Sequence, residues 1–204
     1  MSNFEIGFQL VENEVVLVGR LQVGSEEAFE ALIHLYQTPV YNIAYRVLGD
    51  PAEAADAVQE TFLKVFKGIR GFRGESGLKT WIYRIAISVS LNRQRWWKRW
   101  KRYAAFSVDG PVGEAAIGPA SMEMADPGPS PESYCASREV ETAVQKALGG
   151  LVRDHRIVII LRDIEGLSYE EIADTLGLSL GTVKSRLWRG RLELKKSLQS
   201  YLHR

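Results

Sequence analysis

This 204-residue sequence is poor in the side chains that serve reacting centres, with one cysteine and three histidines. Cys135 alone excludes an internal disulfide framework and fits a reducing compartment. It stands in a polar stretch with no His or second Cys beside it, which argues against a metal ligand or a nucleophile. His34, His155 and His203 are scattered and no carboxylate pair stands out, so neither an enzyme nor a bound metal or cofactor is expected. No apolar run approaches the roughly 18 residues of a membrane span, and the N-terminus shows no basic n-region or cleavage pattern. The expectation is a soluble cytoplasmic chain without direct membrane insertion. The formal net charge of only +1 does not by itself suggest nucleic acid.

That balance is an average over opposite stretches. Between Arg93 and Arg102 there are six Lys or Arg and no acid; from Tyr103 to Ser137 there are five acids and no Lys or Arg. Segregation of this kind gives two surfaces of opposite potential. Hydrophobic residues make up 46% of the chain, enough for packed cores, so it is not a disordered polymer.

The most informative stretch is 167–196, LSYEEIADTLGLSLGTVKSRLWRGRLELKK. Ser168 precedes Glu171 by three residues, the spacing of a capping box that satisfies free N–H groups at a helix start. Ile172, Ala173 and Leu176 form a short apolar stripe, and Gly177 is the residue expected just past a helix end. Ser179 can cap a second helix, with Val183 and Leu187 facing inward and Lys184, Ser185, Trp188, Arg189 and Arg191 outward. Two short helices around a Gly-containing turn, the second basic, form a helix-turn-helix. Its second helix would lie in the major groove, where Lys and Arg meet guanine acceptors and phosphates. The plain alternative is a helical hairpin with a solvated basic face; caps at both starts and hydroxyls beside the cations favour DNA.

Residues 1–18 are weakly patterned, with helical character from Val15. Ser25 can cap a helix carrying Phe29, Leu32, Ile33, Tyr36, Val40, Ile43, Ala44 and Val47 at helical spacing, with a kink or interruption expected at Pro39. Asp50 and Pro51 open a next helix whose core face is read as Ala54, Ala55, Val58, Phe62, Val65 and Phe66. Its other side carries Glu53, Asp56, Gln59, Glu60 and Lys64, either a solvated face or a docking surface for a protein partner. The loop Gly71-Phe72-Arg73-Gly74-Glu75-Ser76-Gly77 lacks the Gly-Lys-Ser/Thr of a phosphate-binding loop. It either admits an extruded group or simply connects. Leu78 to about Arg102 reads as one long helix, with Trp81, Ile82, Ile85, Ala86 and Val89 packed at its start. Its end interleaves three tryptophans with six cations. Such a surface neutralises phosphates and stacks on bases; membrane-surface binding and plain core packing of the tryptophans are the competing readings.

From Ala104 to about Ser137 periodicity is lost among Pro111, Pro119, Pro127, Pro129 and Pro131 in an acidic Gly/Ala/Ser background, the composition of a flexible linker. Beyond it Val140, Ala143, Val144, Ala147, Leu148 and Leu151 restart a helical pattern, and Ile157, Val158, Ile160 and Leu161 supply a core beneath the helix-turn-helix. The fold class expected is all-α, with two small helical domains (1–103 and 138–204) joined by a linker at 104–137.

The strings SEEAFEALIHLYQTPVYNIAYRVLGD, AADAVQETFLKVFKGIRGF, LKTWIYRIAISVSLNRQR and LRDIEGLSYEEIADTLGLSLGTVKSRLWRGR together resemble the extracytoplasmic-function class of bacterial sigma factors. The resemblance covers nearly everything from Gly24 to Leu198 except the linker. It implies no catalytic activity, and a partnership with core RNA polymerase (β′ clamp helices and β flap) and with promoter DNA. An anti-sigma protein is a further partner of many such factors. By this resemblance Asp56, Gln59 and Glu60 dock on the β′ clamp helices. Phe72, Trp81, Arg84, Ser88, Asn92, Arg93 and Arg95 belong to −10 recognition and melting, in which capture of an extruded base offsets the cost of unstacking. Thr182, Lys184, Ser185, Arg186, Trp188, Arg189 and Arg191 match the −35 recognition helix. Family members commonly carry Asn where Ser88 stands, so direct base readout there is not implied, and often His or Phe where Trp188 stands. A rival of another class is a stand-alone operator-binding regulator, which explains the second half but leaves the glycine loop and basic-aromatic helix without a task.

Overall fold

The computed structural model describes the backbone of residues 14–107 and 131–202, with side chains for 14–96 and 139–199. Every regular element among them is helical. The first unit comprises α1 (Glu14–Gln22), α2 (Glu26–Leu48), α3 (Pro51–Gly68), a 3₁₀ turn (Ile69–Gly71) and α4 (Leu78–Ser107). The second comprises α5 (Pro131–Gly150), α6 (Arg153–Ile159), a π-helical turn (Ile160–Ile164), α7 (Tyr169–Leu176) and α8 (Leu180–Leu202). Most of the linker and the first 13 residues lie outside the described residues. Helix is continuous through Ser107 and again from Pro131, so regular structure enters both ends of the stretch read as linker.

The caps form where the sequence places them. The Ser25 side chain accepts from the N–H of Ala28, and that of Asp50 from Glu53, with Pro51 in the first turn where no donor is needed. Pro39 does not interrupt α2, which runs unbroken. The carbonyl that loses its donor is that of Leu35, on the exposed side where water can bond it, while buried Leu32, Val40 and Ile43 hold both halves to one core.

In α3 the core stripe is Ala54, Ala57, Thr61 and Val65, at steps of three or four residues. Ala55 and Phe66, expected inside, are outside, and Val58 and Phe62 are half-buried. Apolar residues on two adjoining faces fit two helical phases, and only packing against α2 and α4 selects one. Phe66 lies against Phe29, ring centroids 4.8 Å apart.

The weakly patterned start of the chain has a structural task. Glu14 Oε1 accepts from the Leu78 N–H at 2.8 Å, supplying the cap at the start of α4. Gln22 donates to the Phe72 carbonyl at 2.8 Å, so α1 fixes both ends of the glycine loop.

The two units pack on one another. Gln145 donates to the Tyr45 carbonyl at 3.0 Å and Arg156 to the Val47 carbonyl at 3.1 Å, joining α5 and α6 to the end of α2. Tyr83 on α4 donates to Glu165 at 3.2 Å, and Arg84 to the Asp174 carbonyl in the last turn of α7 at 2.7 Å. That carbonyl has no helical partner of its own, and a cation at a helix C-terminus is electrostatically favoured.

Candidate nucleic-acid interface

The helix-turn-helix is assembled from the residues that signal it. Ser168 Oγ accepts from the Glu171 N–H at 3.0 Å and the Glu171 carboxylate accepts from the Ser168 N–H at 2.7 Å, a complete capping box. Gly177 takes the left-handed conformation (φ 63°) that ends α7. Ser179 accepts from the Thr182 N–H at 3.2 Å to open α8. Val183 and Leu187 are buried, while Lys184, Ser185, Trp188, Arg189 and Arg191 are exposed, Trp188 at 68%. Gly190 is where α8 crosses α6: a Cβ there would lie 2.9 Å from Ile159 Cδ1 and 3.1 Å from His155 Cβ. The close approach fixes the pitch of α8 and therefore where its outer residues point.

Not every cation on α8 is equally available. Arg186 is half-buried and paired with Asp154 at 2.8 Å, and Arg191 donates two bonds to Asp163, the Nε bond at 3.0 Å. Both tie α8 to its own domain. Thr182 is half-buried and shares a 2.9 Å hydroxyl contact with Ser179. The outer row left for a groove is Lys184, Ser185, Trp188 and Arg189, at steps of one turn or less.

On α4, Arg84, Ser88, Asn92 and Arg95 are exposed and follow one another at four, four and three residues, a single helical face. Trp81 begins that face and is half-buried against Phe72, ring centroids 5.0 Å apart. Loop and helix therefore meet through an aromatic pair. Arg93 is off this stripe: it lies seven residues after Ala86 and four after Val89, both fully buried, and points toward α3. Trp96 is largely exposed; the side chains of Trp97 and Trp100 lie outside the described residues.

On α3, Asp56, Gln59 and Glu60 share one side, which continues into Leu63 and Phe66, each 58% exposed. The two apolar residues extend the row that the sequence reading ended at Glu60. Their signal was the spacing 56, 59, 63, 66, hidden by assigning Phe66 to the core. Glu60 is held below the usual carboxylate range, first by its bond to Lys64 and then by Arg93. Burial pushes the Glu165 carboxyl up despite the Tyr83 bond and nearby Lys79 and Arg46. Burial likewise pushes the Tyr36 phenol up to about 12.

The capped helix-turn-helix and the exposed face of α4 each present cationic side chains placed to meet phosphates. The family profile "Sigma-70 region 2" matches residues 32–102 and "Sigma-70, region 4" matches residues 141–194. The chain is 35% identical to the RNA polymerase sigma-H factor of Pseudomonas aeruginosa over 94% of its length and 96% of that protein's. It is 34% identical to the ECF RNA polymerase sigma-E factor of Escherichia coli K12 over 93% and 96%. Among solved structures it resembles the Bartonella quintana sigma factor RpoE, solved with the anti-sigma factor NepR (TM-score 0.63, 27% identity, 84% of this chain and 96% of that one). The fold is shared with CnrH, solved with the cytosolic domain of CnrY (TM-score 0.67, 23% identity, 92% and 97%). The chain belongs to the extracytoplasmic-function class of sigma-70 factors. As such it is a transcription initiation factor that binds core RNA polymerase and directs it to promoters.

Proposed function

We propose that this factor reads the −35 element through Lys184, Ser185, Trp188 and Arg189 of α8. Thr182 lies at the helix start, and Arg186 and Arg191 serve mainly to orient the helix. The observation that carries the reading is the exposed polar row on α8 directly opposite buried Val183 and Leu187. A row so placed enters a major groove without disturbing its own core. The −10 strand is taken along Arg84, Ser88, Asn92 and Arg95, with Phe72 and Trp81 as the aromatic platform beside the glycine loop. Polymerase docks on Asp56, Gln59 and Glu60, with Leu63 and Phe66 completing a mixed acidic and apolar face. Residues 1–103 and 138–204 act as the polymerase/−10 and −35 modules, with 104–137 as tether. The protein acts in the cytoplasm without catalysing a reaction of its own. No helix among the described residues is long and apolar enough to cross a membrane. An anti-sigma protein is a further partner in this reading, supported by the Bartonella quintana sigma factor RpoE, solved in complex with the anti-sigma factor NepR.

Polymerase supplies what the free chain lacks. Once one module is seated at a fixed separation from the other, the second contact becomes intramolecular and gains effective concentration. Arg84 must then leave the Asp174 carbonyl before it meets DNA, so the α4–α7 contact opens on the way to the promoter complex. The test is holoenzyme formation by the full chain carrying Glu60→Arg. We expect much weaker polymerase binding from a chain that still folds; unchanged holoenzyme formation would contradict the docking face.

A further inference from the structure

Arg93 sits in the basic run of α4, yet its donors are turned away from the exposed stripe. Its Nε donates to Glu53 at 3.1 Å, Nη2 to Asp56 at 2.8 Å and Nη1 to Glu60 at 3.4 Å. These acids stand three and then four residues apart on α3, so one guanidinium spans two turns of a single helix face. The Arg93 side chain is 25% exposed, covered about as well as Glu53 (22%), while Glu60 (39%) and Asp56 (58%) stand further out than the cation. Lys64 takes the other oxygen of Glu60 at 2.9 Å, so that carboxylate is held from both sides. A planar fork with donors in fixed directions suits this task; a lysine ammonium would not reach three acids in one geometry.

The same arrangement is poorly suited to a phosphate. Three carboxylates against Arg93 and Lys64 leave the cluster with one net negative charge, and all three guanidinium nitrogens already face protein acceptors. Arg95, two residues further on, is exposed and lies on the stripe with Arg84 and Asn92. Burial opposes the charge on Arg93, but its acid partners hold the guanidinium above its usual range.

We propose that Arg93 is a positioning residue for polymerase docking, holding Glu53, Asp56 and Glu60 as one fixed row, and is not a promoter contact. This rests on the docking reading of α3 and removes Arg93 from the −10 set that the family resemblance implies. A row already ordered loses little conformational freedom when cationic side chains of a partner meet it, which favours binding. Glu53 is the most covered of the three acids, so its influence on the partner passes through Arg93.

The experiment uses the full-length chain and core polymerase, with two readouts. One is the dissociation constant for polymerase. The other is the salt dependence of the preformed holoenzyme on promoter DNA. Arg93→Gln is expected to weaken polymerase binding about tenfold, on the scale of a charged hydrogen bond, with an unchanged salt slope. Arg93→Lys should recover part of the loss. Glu53→Gln should weaken binding several-fold and add little to Arg93→Gln, since both act through one cluster. A slope reduced by about one with polymerase binding intact would make Arg93 a phosphate contact and overturn the proposal. So would fully additive losses from Arg93→Gln and Glu53→Gln. Should Arg93→Gln fail to fold, Arg93→Lys and Glu53→Gln carry the same two readouts. If Glu60→Arg abolishes docking while Arg93→Gln is silent, the positioning role alone fails; if both are silent, the docking face itself fails.

Discussion

The two helices proposed to carry the DNA-facing residues are set up differently. On α8 the row Lys184, Ser185, Trp188 and Arg189 is exposed while the cations beside it, Arg186 and Arg191, are tied back to Asp154 and Asp163. On α4 the stripe is exposed in its middle but engaged at its start. Arg84 bonds to α7, and neighbouring Tyr83 to Glu165. In the proposed assignment, one surface reaches a duplex as it stands, whereas the other first has to part from the domain packed on it. The difference matches the substrates proposed for them: a −35 duplex keeps its shape, while −10 bases become available only on melting.

The comparison breaks most completely if α8 loses its seat. Leu187→Ala should cost about 2–5 kcal/mol of stability in thermal or denaturant unfolding and abolish −35 binding with it. Its neighbour Trp188→Ala should stay within about 0.5 kcal/mol in the same unfolding assay and yet weaken −35 binding. Equal stability losses at the two positions would mean that α8 is not oriented as described.

Arg189→Ala should cost about 1–3 kcal/mol on a −35 duplex if it contacts a base. The check is holoenzyme binding to native and scrambled −35 sequences. Equal losses on both would reduce Arg189 to a phosphate contact and make the α8 row a backbone clamp.

On the α4 side, Arg84→Ala removes the bond to the Asp174 carbonyl, an effect of about 1 kcal/mol. Energy transfer between dyes on the two units should report a larger open fraction in the free variant. An unchanged distance distribution would show that this bond does not hold the units together.

The smallest effect expected is with pH. Glu165 is pushed up from the ordinary 4.5 by burial, so the packed arrangement binds a proton that the parted one releases. Its preference for the packed arrangement is therefore full below 4.5 and is lost as pH rises through the raised value. The same energy-transfer measurement across that window should show opening on the alkaline side, and Glu165→Gln should flatten the profile. Opening toward acid would reverse the sign and contradict the assignment.

Much of the second domain is legible in the sequence because its signals are local. The capping box at Ser168 and Glu171, the left-handed Gly177 and the Ser179 cap each lie within four residues of their partners, and all form as expected. The role of Gly190 is not legible, since nothing in RLWRGRL says that Ile159 and His155 press on it. In the first domain, Ala54, Ala55, Val58, Phe62, Val65 and Phe66 fit more than one helical phase, so Phe66 was placed inside when packing leaves it out. Pro39 signals a break that the tertiary core overrides. The Arg84–Asp174 and Arg93–Glu53 contacts join residues 90 and 40 positions apart, and no periodicity reports such pairs. In the sequence the basic run on α4 reads as one surface, because composition cannot distinguish Arg93, which faces α3, from Arg95, which faces solvent.

The most direct test is run-off transcription by purified core polymerase with and without the full chain, on templates bearing a range of −10 and −35 sequences. The account predicts initiation at a defined subset of templates, lost when either element is scrambled and lost with Glu60→Arg. Transcripts that appear without regard to both elements, or none on any template, would contradict it.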